Sequence, residues 1–250
     1  MSMTGNTSGN STSQRAVVVI NAGPEARIEI QDVSIPQLKD DEVLVKLTHS
    51  GVCHSDVSFT YGDWKDLGFT FEGSQTPGHE GIGTVVAVGS YVSALKLGDR
   101  VGIKWIRRVC GVCHYCEAGK ENWCESQTHS GRTTSGSFQQ YVTAPANYVP
   151  IIPPEISGEH AGPLLCAGST MYSALKTLNV TPGDWVVIVS LAFHFTTQAN
   201  KIHRRLVLAA ALVIWGFSTL RLWDSGSSPL IQETGKPSVC LRGPRSFSTF

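Results

Sequence analysis

Gly81-Ile-Gly-Thr-Val-Val-Ala-Val-Gly89 and, five residues later, Leu95-Lys-Leu-Gly-Asp-Arg-Val-Gly-Ile-Lys-Trp105 read as a strand, a turn at Gly98-Asp99 and a second strand. The pattern repeats outward in both directions. Val43, Val45 and Leu47 alternate with polar residues, as in a strand with one buried face. Arg15–Ile30 alternates around Gly23-Pro24 and predicts a hairpin. Ser137–Pro153 carries two more short strands by the same reading. Short strands at such spacing predict a β-rich barrel or sandwich instead of a βαβ array. Past Pro154 the period changes. Ala161–Leu178 predicts a helix, and Asp184–Val189 a buried strand of the kind that opens an α/β unit.

Composition narrows the function classes. The 250 residues hold 20 basic and 20 acidic side chains, which argues against a nucleic-acid binder. The balance is uneven along the chain: residues 1–190 carry a net −5 and residues 191–250 a net +5. Residues 1–14 are polar and lack a secretory signal, and so predict a solvated tail and a cytoplasmic location. Leu206–Leu220 is apolar but shorter than the roughly 17–25 residues a span needs, so it predicts a buried helix or a sticky unstructured segment and not a membrane anchor.

Chemistry concentrates in the cysteines, seven in all. Cys110-x2-Cys113-x2-Cys116-x7-Cys124 can close a four-thiolate zinc shell locally, with Gly111 and Gly119 at the bends. Four thiolates leave no open position, so such a site is structural. Cys53 in GVCHSD, His79-Glu80 in PGHEG and Cys166 in LLCAG form a dispersed second set. Each alone reads equally as a buried core residue; together they suit a catalytic zinc with one position open.

GVCHSDV, TPGHEGIGTVVAVG, LKLGDRVGIKW, the cysteine quartet, GSFQQYV and LLCAGSTMYSALK, in that order, resemble the zinc-dependent alcohol dehydrogenases of the medium-chain dehydrogenase/reductase family, yeast and fungal type. The resemblance spans about Arg15 to Val189. It implies a β-rich GroES-like catalytic domain over 15–160, the start of a Rossmann coenzyme domain over 161–190, and a divergent tail over 191–250, the coenzyme domain being incomplete. It implies two zinc ions: a catalytic one on Cys53, His79 and Cys166 with Glu80 adjacent, and a structural one on Cys110, Cys113, Cys116 and Cys124. Asp56 matches the carboxylate that orients the liganding histidine, and Ser55 the hydroxyl that hydrogen-bonds the alcohol. Ser58 stands where yeast-type enzymes place the histidine that ends the proton relay. His54 and Ser55 match positions near the coenzyme. Trp64 and Trp105 match positions that narrow the pocket, which implies small primary alcohols or aldehydes as partners. A homo-oligomer is also implied, although family assembly runs through the coenzyme domain.

The resemblance further implies NAD, whose cradle is a strand running into Gly-x-Gly-x-x-Gly. Val189 instead leads into Ser190-Leu-Ala-Phe-His, and the next glycine is Gly216. The alternative expectation is therefore a non-catalytic fragment that binds two zinc ions. Gly81-Ile-Gly83 lacks the third glycine, because residue 86 is Val, and reads as barrel structure.

Overall fold

The computed structural model describes residues 12–72 and 76–178, and three short strands beyond them. Strand β1 (Ser13–Ile20) and strand β2 (Arg27–Ser34) form the expected hairpin, in antiparallel register from Ser13↔Ser34 to Ile20↔Arg27. Ala16, Val18 and Val19 of β1 are buried, and the strand is tied to the rest of the fold by Val17 N donating to Phe138 O at 2.8 Å.

Strand β3 (Glu42–Gly51) is the axis of the main sheet. Helix α1 (His54–Tyr61) follows it, and then strand β4 (Gly81–Val88), strand β5 (Arg100–Ile103), strand β6 (Ile106–Arg108), the one-turn helix α2 (His114–Glu117), strand β7 (Thr128–His129) and strand β8 (Tyr141–Pro145). β3 pairs antiparallel with both β4 and β8, and β4 with β5. Val43, Val45 and Leu47 meet Val85, Val101, Ile103, Val142 and Ala144 in one core, so the period-two alternation does set the buried face.

Gly83 explains why the Gly-x-Gly of β4 is structural. A Cβ there would lie 2.4 Å from the Lys46 carbonyl oxygen of β3. Only glycine allows the two backbones to approach so closely.

The second strand expected within Ser137–Pro153 is reduced to one bridge, Ile151 to Val101; prolines at 150 and 153 remove the donors a longer ladder needs. The helix expected over Ala161–Leu178 is present in three pieces: α3 (Gly158–Pro163), a wider π turn at Leu164–Gly168, and α4 (Ser169–Thr177). Strand β9 (Val186–Val189) falls where a coenzyme-domain strand was expected and pairs parallel with β10 (Val207–Ala210). Strand β11 (Thr219–Arg221) lies antiparallel to the His49–Gly51 end of β3. Residues 207–210 and 219–220 of this run are strand, where a buried helix or an unstructured segment was expected, and the rest of the run lies outside the described residues. An apolar run of that kind does not by periodicity distinguish a buried helix from strands. Most of residues 1–14 and 191–250 lies outside the described residues. Among the described residues no helix is long and apolar enough to cross a membrane.

Candidate metal centres and active site

The four-cysteine lobe is a loop between β6 and β7. Gly111 and Gly119 take φ of +78° and +67°, values that favour glycine, and turn the chain around the sulfurs. Cys113–Cys116, Cys110–Cys124 and Cys110–Cys116 sulfurs lie 3.5, 3.6 and 3.9 Å apart. A tetrahedron with zinc–sulfur bonds of about 2.3 Å has edges of about 3.8 Å, so the four sulfurs fit that ion. The backbone N–H groups of Val112 and Cys113 hold the Cys110 thiol down at about 6, favouring the thiolate that binds metal.

Strand β6, which leads into the lobe, is tied to the main sheet by charge. Arg107 donates to Glu42 Oε1 at 2.8 Å and to Thr143 O at 3.1 Å, and Arg108 donates to Asp41 Oδ2 at 2.6 Å. Glu42 is buried, with its side chain 1% exposed.

The dispersed set converges. Cys53 caps α1, His79 and Glu80 lead into β4, and Cys166 sits in the π turn between α3 and α4. One donor atom of each lies within 4.8 Å of the others, and the two sulfurs are 3.9 Å apart. The wider turn projects Cys166 toward the barrel from the middle of a helix, a common use of π geometry at functional positions.

Asp56 organises this set from behind. Its carboxylate accepts from Cys53 N at 3.0 Å and Gly78 N at 3.2 Å, and its Oδ1 lies 3.0 Å from His79 Nδ1. With Nδ1–H spent on Asp56, Nε2 is left as the metal-binding nitrogen. Burial works against a charged imidazole, yet Asp56 outweighs it and holds His79 well above the usual histidine range. The hydrogen bond from Cys166 holds Cys53 down at about 3, and Cys166 rises in turn because the pair shares one proton. Burial pushes Glu80 up to about 7, although His79 pulls the other way. Two thiols, an imidazole and a carboxyl packed this closely fit a borderline-soft ion such as zinc.

Asp56→Asn is expected to weaken zinc at this set about 10–100-fold, because the amide NH2 cannot accept one of the donors the carboxylate now satisfies. Competition with a chromophoric chelator reads the change. Equal affinity in the two proteins would mean that Asp56 does not support the site.

Ser55 Oγ lies 3.5 Å from Cys53 Sγ, beside the set. Buried Ser58, at the relay position, is 3.2 Å from Nδ1 of His54, the coenzyme-side candidate one turn back on α1, so the two form a hydrogen-bonded pair. Trp105 stacks on Phe59 at 5.4 Å and stands edge-on to His79 at 5.4 Å. It lines a cleft of about 720 Å³ that includes Cys166. Trp64 packs edge-on against Phe59 at 5.3 Å and lines neither this cleft nor the one beyond Trp105.

Three residues not anticipated from the sequence also stand out. Burial lowers Lys104, which lines the Cys166 cleft, to about 8, with its Nζ 3.6 Å from the Tyr148 ring centre. His129 and Arg132 line a second cleft, on the lobe side of Trp105. Burial, reinforced by Arg132 and partly offset by Glu72, holds His129 down at about 4. An unfolded histidine protonates near 6.5 and the folded one does not, so His129 lowers stability as pH falls from about 6.5 toward 4. The stability difference between wild type and His129→Leu should therefore shift by about 2 kcal/mol between pH 7.5 and 4.5. Urea unfolding at the two pH values measures it, and a pH-independent difference would contradict the burial argument.

A β-rich fold bearing a four-cysteine lobe and a separate Cys-His-Glu-Cys set is the arrangement that the sequence resemblance implies. Comparison with known proteins agrees. Residues 39–154 match the model of the alcohol dehydrogenase GroES-like domain. Alcohol dehydrogenase 2 of Emericella nidulans is 46% identical over 177 residues, covering 70% of this chain and 48% of that protein. An alcohol dehydrogenase of Geobacillus stearothermophilus is 42% identical over 173 residues, covering 69% and 50%. A cinnamyl alcohol dehydrogenase of Sorghum bicolor superposes with a TM-score of 0.63 at 28% identity, covering 72% of this chain and 52% of that one. The chain thus spans about half the length of the curated relatives it matches.

Proposed function

We propose that the protein acts in the zinc-dependent, NAD-linked oxidation of primary alcohols to aldehydes. The observation that carries this reading is the convergence of Cys53, His79, Glu80 and Cys166, with Asp56 fixing the imidazole. In this reading Cys53, His79 and Cys166 hold the catalytic ion and Glu80 lies beside it. Bound there, zinc supplies Lewis acidity that lowers the pKa of an alcohol hydroxyl. The Cys110, Cys113, Cys116 and Cys124 lobe holds a second, structural ion.

The chain's own residues supply proton handling and position. Ser55 Oγ would accept the hydroxyl proton of the alcohol while passing its own proton to water. Ser58 and His54, paired at 3.2 Å on the same helix, offer a hydroxyl and an imidazole nearby that can order water toward solvent. Trp105 excludes water from one side of His79. The sequence after β9 has no glycine before Gly216, and hydride acceptance is not assigned to groups of this chain.

The test is alcohol-dependent NADH formation by the full chain, followed in wild type and Cys166→Ser. Turnover that disappears in the variant supports the reading. Turnover unchanged in the variant, or none from wild type carrying two zinc ions, would overturn it.

A further inference from the structure

Strand β2 is the outer edge of its sheet. Strand β1 pairs with it on one side and meets Phe138 and Gln139 on the other, so among the described residues the second edge of β2 has no strand beside it. A two-stranded ribbon is marginal by itself, and an open edge presents a row of backbone N–H and C=O groups to any matching strand. The usual protections are missing here. β2 contains no proline and no lysine, and its register with β1 runs without the bulges that interrupt β3–β4 and β6–β7. Residues 27–30 are exposed on both faces of the strand, Ile28 at 57% and Ile30 at 48%.

Charge is the remaining defence of this edge, and its pattern matches one partner. Two copies related by a twofold axis pair their β2 strands antiparallel. Backbone groups point outward only at every second residue, so the axis must pass through a residue and not between two. Centring on Arg27 opposes two guanidiniums, and centring on Glu29 opposes two carboxylates. Centring on Ile30 sets Ile28 against the partner's Asp32. Centring on Ile28 sets Ile28 on the partner's Ile28, Ala26 against the partner's Ile30, and Arg27 against the partner's Glu29, twice over. Opposed side chains share a face, so the isoleucines gather on one side of the new sheet and the ion pairs on the other. In the single chain Arg27 reaches Glu29 only at 4.0 Å, with side chains 69% and 44% exposed, which leaves both within reach of a partner.

We propose that the free edge of β2 is a docking surface for a second copy of this chain, and that the two copies join at Ile28 into one four-stranded antiparallel sheet. The reciprocal match of Arg27 and Glu29 selects this occupant, because an unrelated strand would not repeat it. The paired segment, residues 26–30, is about 17 Å long. Such a contact falls below the roughly 1,000 Å² of a stable complex, so the dimer is weak and follows concentration.

The test is a charge swap followed by sedimentation velocity of the full 250-residue chain over a concentration series. Wild type should move from monomer toward dimer as concentration rises. Arg27→Glu and Glu29→Arg should each stay monomeric, since each sets like charges opposite one another twice. The two variants mixed in equal amounts should associate again, and the double variant should associate as wild type does. A wild type that stays monomeric, single variants that dimerise as wild type does, or a mixture that stays monomeric would each overturn the proposal. Amide exchange locates the contact: residues 27–30 should gain protection as the dimer forms. A rising mass without added protection there would place the interface elsewhere and overturn it too.

Discussion

Arg107→Ala should destabilise the fold by about 3–5 kcal/mol, the expected cost of removing one partner from a buried ion pair. Glu42, its side chain 1% exposed, would be left among the described residues with Arg108 Nη2, at 3.6 Å, as its cation partner. The Thr143 carbonyl would also lose its donor from Arg107. Replacing both partners by apolar residues, in Glu42→Leu with Arg107→Leu, should recover much of the loss, because the desolvation cost of the charge disappears with it. Denaturant unfolding of the single and double variants measures the coupling. A single variant within about 0.5 kcal/mol of wild type, the range of an ordinary surface change, would show that the pair does not tie β6 to the main sheet.

Loss of zinc from the four-cysteine lobe should have a larger but more local effect. Structural zinc sites in small domains are worth about 10–16 kcal/mol of apparent binding free energy, and folding of the loop draws on it. Among its described residues, residues 109–127 have only the short helix α2 and a single turn at Glu121–Trp123 as regular structure, and few of their side chains are buried. Cys116→Ser should therefore unfold the lobe while the β3–β4–β8 core persists. Limited trypsin digestion should cut rapidly after Lys120 in the variant and slowly in wild type. Equal rates would mean that the lobe holds its shape without the fourth thiolate.

The legibility of this protein from its sequence follows the range of the interactions. The quartet could be read directly, because four thiols within 15 residues can meet only by folding one loop. The core face of β3 was equally open, since Val43, Val45 and Leu47 alternate locally. The second set depended on resemblance: Cys53 and Cys166 are 113 residues apart, and no local pattern brings them together. The Glu42–Arg107 pair, 65 residues apart, carried no signal, since a charged residue in a strand ordinarily reads as solvent-facing. His129 was missed for the same reason; its environment is built from Trp105 and Arg132 across the β6–β7 region. The edge-on packing of Trp64 against Phe59 is likewise a tertiary contact that no local pattern announces. At 207–210 and 219–220 the structure has strand where a buried helix or an unstructured segment was expected; the run, apolar apart from Gly216, Ser218 and Thr219, carries no period to choose between helix and strand.

Two separate zinc sites in this fold can be counted by elemental analysis of the purified full chain, wild type beside Cys166→Ser and Cys116→Ser. Wild type should carry close to two zinc ions per chain and each variant close to one. A wild-type chain with one zinc ion, or a Cys166→Ser protein that still holds two, would contradict two separate sites.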